Sequence, residues 1–171
     1  MDGVFVYGTL CHGQKRQHQW PLPPVAVVPA WIRGTLYGAP WYPALKTGED
    51  CVAGQCWLYR DLDIETVLVR LDQIEVTNQP GVPNEYDRVR VPVHSRDFLL
   101  DDAHPLPRTY HLQAAAAFEV PGFPIVHAWT YRFHREPTDE GFRQIRGTAV
   151  TRRSGLGEAT HEKVDVVWWM K

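Results

Sequence analysis

The chain has 171 residues, of which 44% are apolar and 22% charged, with a net charge of −2 at pH 7. Those proportions suit a single globular domain with a real core, and they exclude a largely disordered chain. So small a net charge gives no electrostatic case for nucleic acid or an anionic membrane surface, and no stretch is long and apolar enough to span a bilayer.

The three cysteines are an odd number, which argues against a closed disulfide framework, and the residues after Met1 lack a basic start and apolar run. A reducing cytoplasm is therefore the expected setting. One domain over 1–171 is expected, with an insertion at about 97–124 and a C-terminal extension from about 134.

Val4-Phe5-Val6-Tyr7 is an apolar, aromatic run stopped by Gly8 and reads as a buried first strand. A polar segment follows from Cys11 to Gln19, then Pro21, Pro23 and Pro24, which fit only loop or edge. Val25–Tyr37 predicts one or two strands, Trp41-Tyr42-Pro43 a turn, and Val52–Tyr59 a strand in which Gly54 allows close backbone approach. The period then changes: Ile64, Val67, Leu68, Leu71 and Ile74 recur at helical spacing, with Asp61 and Asp63 as candidate N-caps. After a turn-rich loop (Asn78, Pro80, Gly81, Pro83, Asn84) comes a strand over Arg88–Val93. The insertion predicts a short helix around Ala114–Ala117, and strands are expected at Ile125–Phe133 and Val164–Trp169.

Glu75 stands where a core residue belongs. At helical pitch it lies roughly 20° from both Ile64 and Leu68 and roughly 40° from Leu71, on the apolar stripe. Burial and the negative end of the helix both push a carboxyl pKa upward and make it a better base. The plainer alternative is a frayed last turn in which Glu75 pairs with Arg88 or Arg90. A second feature is Tyr7-Gly8-Thr9-Leu10. A strand ending in a glycine turn exposes backbone N–H groups that can hold a carboxylate or an oxyanion, though a tight turn alone would also explain it.

Other constellations are weaker. Cys11 and His12 are adjacent and diverge, which is poor geometry for a nucleophile and its base. None of the eight histidines forms an H-x-x-x-H pair or sits at ligand spacing from a cysteine pair, so no metal is expected. Arg143, Arg146, Arg152 and Arg153 lie among acidic residues and read as a solvated face. Trp168-Trp169 either closes the core or anchors a second copy in a homodimer.

Taken together, Val4-Phe5-Val6-Tyr7-Gly8-Thr9-Leu10 with Gly13, Leu71-Asp72-Gln73-Ile74-Glu75, and Tyr86-Asp87-Arg88 before alternating Val89, Val91 and Val93 resemble the gamma-glutamylcyclotransferase-like family. Within it they most resemble the branch of gamma-glutamylamine cyclotransferase, the butirosin-pathway cyclotransferase and the plant avirulence-induced proteins. Weaker matches are Tyr42-Pro43-Ala44-Leu45, Gly54, and Ala128-Trp129-Thr130-Tyr131. Cys11-His12 and the long loop after Val76 depart from the family pattern.

The resemblance implies an α+β fold, a small mixed β-barrel with surrounding helices, and no metal or organic cofactor. It implies a small-molecule gamma-glutamyl substrate whose own α-amine attacks its γ-carbonyl, releasing 5-oxoproline. On this reading Glu75 is the catalytic acid/base, and Tyr7, Gly8, Thr9 and Leu10 bind the glutamyl carboxylate or the oxyanion. Tyr86 or Tyr131 would donate a hydrogen bond in the pocket, and Arg88 would orient Glu75. The rival function is a non-catalytic small-molecule binding module on the same fold.

Overall fold

The computed structural model describes residues 1–95, 124–146, 148–152, 162–167 and 169. In chain order these form β1 (Asp2–Val6), β2 (Ala26–Gly38), β3 (Pro43–Tyr59), α1 (Ile64–Ile74), β4 (Tyr86–Ser95), β5 (Pro124–Phe133), β6 (Arg143–Gln144), β7 (Thr148–Arg152) and β8 (Glu162–Val167). The expected insertion, its short helix at 114–117, and Trp168 lie outside the described residues.

Five strands close a mixed barrel in the order β2-β4-β5-β1-β3, with β3 pairing back onto β2. The β1–β5 pair is parallel, with Val4 opposite Trp129, and the other barrel pairs are antiparallel. This is the α+β barrel that the motifs imply. Closure leaves none of the five with an open edge along its whole length.

The first strand explains the two-sided core. Phe5 points into the barrel with Val28, Ile32, Val52, Val91 and Ala128. Val4 and Val6 point outward to Val67, Leu68 and Leu71 of α1. A strand covered on both faces needs no polar alternation, so the run is apolar throughout. Gly54 stands where β3 crosses this strand: an added Cβ would collide with the Val6 carbonyl oxygen and the Phe5 ring.

The turn expected at Trp41-Tyr42-Pro43 falls in the loop of the β2–β3 hairpin, where Ala39 N–H donates to the Tyr42 carbonyl at 3.3 Å, but the strand expected from Val52 begins earlier, at Pro43. Pairing passes from Gly34↔Asp50 to Thr35↔Lys46, which leaves 47–49 extruded as an irregularity. Those polar residues hid the strand. At the start of α1, Asp63 occupies the N-cap without a capping bond, because its carboxylate accepts Arg60 Nε at 2.8 Å instead.

Residues beyond 134 extend the same sheet. β6 pairs with the end of β2, β8 runs parallel to β3 with Cys51 opposite Val166, and β7 lies outside β8. Trp169 packs on the barrel core.

Candidate functional site

A pocket of about 560 Å³, counting its open mouth, lies where the exit of β1, the C-terminus of α1 and the start of β4 converge. It brings together all seven residues singled out from the sequence: Tyr7, Gly8, Thr9, Leu10, Glu75, Tyr86 and Tyr131. It also holds Arg16, Tyr42 and Glu85, which sequence reasoning missed as site residues.

Glu75 is the C-cap of α1, and its N–H still closes the last turn onto the Leu71 carbonyl at 2.8 Å. Its carboxylate is half-buried and makes no hydrogen bond or ion pair among the described residues. Burial pushes its pKa up to about 7, Arg16 opposes the rise, and Glu85 adds to it. A carboxylate near neutrality, open to a pocket, is suited to take up and return a proton.

The expected partner is corrected. Arg88 does not reach Glu75: its Nη1 pairs with Asp72 at 3.0 Å, while Arg90 pairs with Asp2 at 3.0 Å. The other Asp72 oxygen accepts the Tyr131 hydroxyl at 2.8 Å. So the aspartate of Leu-Asp-x-x-Glu, one turn before Glu75, fixes a pocket tyrosine. Its place in the matched motif was the available signal.

The three pocket tyrosines share a pattern. Tyr7 donates its hydroxyl proton to the Tyr131 carbonyl at 2.7 Å, and Tyr86 donates to the Pro43 carbonyl at 2.9 Å. With Tyr131 committed to Asp72, all three protons are directed at protein acceptors. The expectation that Tyr86 or Tyr131 donates to a ligand gives way to acceptance, since each hydroxyl keeps lone pairs and no free proton. Burial, first among the causes, holds all three phenols well above their usual range.

The glycine turn supplies the missing donors. The carbonyls of Gly8, Thr9 and Leu10 accept from Cys11 N–H (3.0 Å), Arg16 N–H (2.8 Å) and Trp20 Nε1 (2.9 Å). The buried Gln55 anchors the far end of the turn by accepting His12 N–H at 2.7 Å. Across a planar trans peptide, N–H points opposite to C=O. The N–H groups of Thr9 and Leu10 are thus turned away from segment 11–20, and among the described residues they donate to nothing. Gly8 is required by close approach: an added Cβ would lie 2.6 Å from Pro43 Cγ.

Cys11 is no nucleophile here. Its Sγ donates to the Val6 carbonyl at 3.4 Å, and burial pushes the thiol up to about 12. Among the described residues no group of three His, Cys, Asp or Glu side chains is placed to hold a metal ion, and no helix is long and apolar enough to cross a membrane.

A closed five-stranded mixed barrel with a pocket holding a raised-pKa carboxylate defines the class of fold. The family described as "gamma-glutamyl cyclotransferase, AIG2-like" matches residues 4–149, and the chain belongs to it. No curated protein matches the chain. Among solved structures, a crystal structure of YkqA from Bacillus subtilis is similar at 20% identity and a TM-score of 0.44, covering 78% of this chain. The match covers 36% of that protein, so this chain corresponds to about a third of it.

Proposed function

We propose that the protein releases 5-oxoproline from a gamma-glutamyl amine or amino acid by intramolecular attack of the substrate's α-amine on its γ-carbonyl. One observation carries the reading: a carboxylate with a pKa near 7, unpaired among the described residues, shares one pocket with Thr9 and Leu10, whose N–H groups donate to nothing among those residues.

The chemistry requires little more. The nucleophile and the carbonyl belong to one molecule, so ring closure removes much of the entropic barrier before the enzyme acts. Glu75 takes two protons in turn from the α-nitrogen, one before attack and one after it, and passes both to the departing nitrogen, so its charge is restored at the end of the cycle. The Thr9 and Leu10 N–H groups face the α-carboxylate or the oxyanion that forms on the γ-carbonyl. The lone pairs of Tyr86 and Tyr131 help to hold the ammonium group beside Glu75. Bonds made and broken balance within the substrate: one C–N bond forms, one breaks, and the amine leaves as an ammonium carrying the two protons that the α-nitrogen lost.

The test is 5-oxoproline release from a panel of gamma-glutamyl amines and amino acids by wild type and Glu75→Gln. Release by wild type and its loss in a folded Glu75→Gln variant is the expected result. Binding without release from every member would favour the non-catalytic module, and equal release by the variant would remove Glu75 from the mechanism.

A further inference from the structure

The pocket contains a second carboxylate that the proposed reaction does not use. Glu85 immediately precedes β4, and its backbone is fixed on both sides: its N–H donates to the Val76 carbonyl at 3.0 Å, and its own carbonyl accepts His134 N–H at 2.9 Å. Its side chain lines the pocket beside the Tyr42 hydroxyl and close enough to Glu75 to raise that group's pKa. Tyr42 in turn is edge-packed on Tyr86 and Phe142, with ring centres at 6.5 and 5.5 Å, which fixes this wall of the pocket.

Three nearby cations are already engaged. Arg135 pairs with Glu140 at 3.3 Å, Arg88 pairs with Asp72 at 3.0 Å, and Lys46 Nζ donates to the carbonyls of Phe133 and Arg135 at 3.1 Å each. No lysine or arginine among the described residues pairs with Glu85. Arg16 is the cation that lines the pocket.

The charges can then be matched against a substrate. The glutamyl half carries one carboxylate and one ammonium, which neutralise Arg16 and Glu75 one for one. Glu85 is left over, an anion enclosed when ligand fills the pocket, and enclosure of an uncompensated charge disfavours binding. A leaving group ending in a second ammonium cancels it; one ending in a carboxylate doubles the problem.

We infer that Glu85, against Tyr42, is a specificity subsite for a cationic leaving group, so that the preferred substrates are gamma-glutamyl derivatives of diamines. This rests on the gamma-glutamyl reading of the pocket.

The test separates the two claims by measuring binding as well as turnover. Gamma-glutamyl-1,4-diaminobutane, gamma-glutamyl-butylamine and gamma-glutamyl-4-aminobutyrate have similar reach and differ in the charge at the far end. They are titrated calorimetrically into the full chain carrying Glu75→Asp, which keeps both pocket carboxylates in the charge count, and 5-oxoproline is assayed at the end of each titration. The diamine derivative should bind at least about tenfold tighter than the butylamine derivative, as a hydrogen-bonded charge pair predicts, with the aminobutyrate derivative weakest. Adding Glu85→Gln should bring the diamine derivative down to the butylamine level. Equal binding of those two, a ranking that survives Glu85→Gln, or no binding of the diamine derivative overturns the subsite. Tight diamine binding to Glu75→Asp with no 5-oxoproline from wild type leaves the subsite standing and removes the reaction.

Discussion

Arg88 and Asp72 join β4 to the last turn of α1 through a 3.0 Å ion pair, with the two side chains only 22% and 13% exposed. The pair is bound into a chain: Tyr131 donates to the second Asp72 oxygen at 2.8 Å, and the Arg88 guanidinium lies over the Trp129 ring at 5.1 Å. Asp72→Ala leaves a part-buried guanidinium without its anion and a buried phenol without its acceptor. The expected loss is about 2 kcal/mol of folding stability, read by denaturant unfolding. Asp72→Asn keeps an acceptor for Tyr131 and should lose less.

The pH dependence of turnover tests the electrostatics around Glu75. As the base, Glu75 must be ionised, so kcat/KM for 5-oxoproline release should rise with pH on a limb centred near 7. Arg16 lowers that pKa and Glu85 raises it. Arg16→Gln should therefore move the limb up and Glu85→Gln move it down, by about half a unit each. Shifts in the same direction would place one of the two charges elsewhere.

The same carboxyl sets a stability dependence of definite sign. Its folded pKa of about 7 lies above the ordinary value of 4.5. Between those pH values the unfolded chain gives up a proton that the folded chain keeps, so this group's contribution is fully present below 4.5 and is lost as pH rises through 7. Glu75→Gln removes the ionisation. The variant should be more stable than wild type at pH 8, by on the order of 2 kcal/mol, with the gain shrinking towards pH 5. Unfolding curves for both proteins at the two pH values decide it.

Gly8→Ala tests the turn. Its Cβ would lie 2.6 Å from Pro43 Cγ and 2.9 Å from Pro43 Cδ. Pro43 cannot move freely, because its carbonyl accepts the Tyr86 hydroxyl at 2.9 Å. Overpacking here is expected to destabilise by about 1–3 kcal/mol. By displacing the Thr9 and Leu10 N–H groups, it should also reduce kcat/KM by tenfold or more.

The legible parts of the molecule were those where one residue type has one physical reason. Ile64–Ile74 emerged from its apolar period, and Glu75 stood out as an acid on that stripe. Gly54 reads as a point of close backbone approach, and Gly8 as a turn that exposes backbone N–H groups. What escaped was set by chain geometry. Thr47-Gly48-Glu49-Asp50 looks like loop, yet the strand runs through it because only 47–49 leave the ladder with β2. Arg88 was read as a partner for Glu75, since sequence gives no means of choosing between two carboxylates on neighbouring turns of a helix. Arg16 and Glu85 carry no local pattern, Tyr42 only a weak motif match, and all three enter the pocket only when the ends of β1, β3 and β4 meet.

Val76 offers the last test, at the residue following Glu75. It adopts φ 50°, a left-handed conformation that a β-branched residue rarely enters. The helix end explains why: Glu75 is the C-cap, Thr77 N–H returns to the Asp72 carbonyl at 2.8 Å, and the residue between them takes the position glycine normally fills. Glu85 N–H, at 3.0 Å from the Val76 carbonyl, holds the turn closed. For an L-residue this conformation costs about 1–2 kcal/mol, while glycine's extra freedom in the unfolded chain costs about 0.5–1 kcal/mol. Val76→Gly should therefore raise stability by about 0.5–1 kcal/mol, seen as a higher denaturant midpoint at unchanged slope. A lower midpoint would mean that the valine side chain contributes more by packing than its backbone loses to strain.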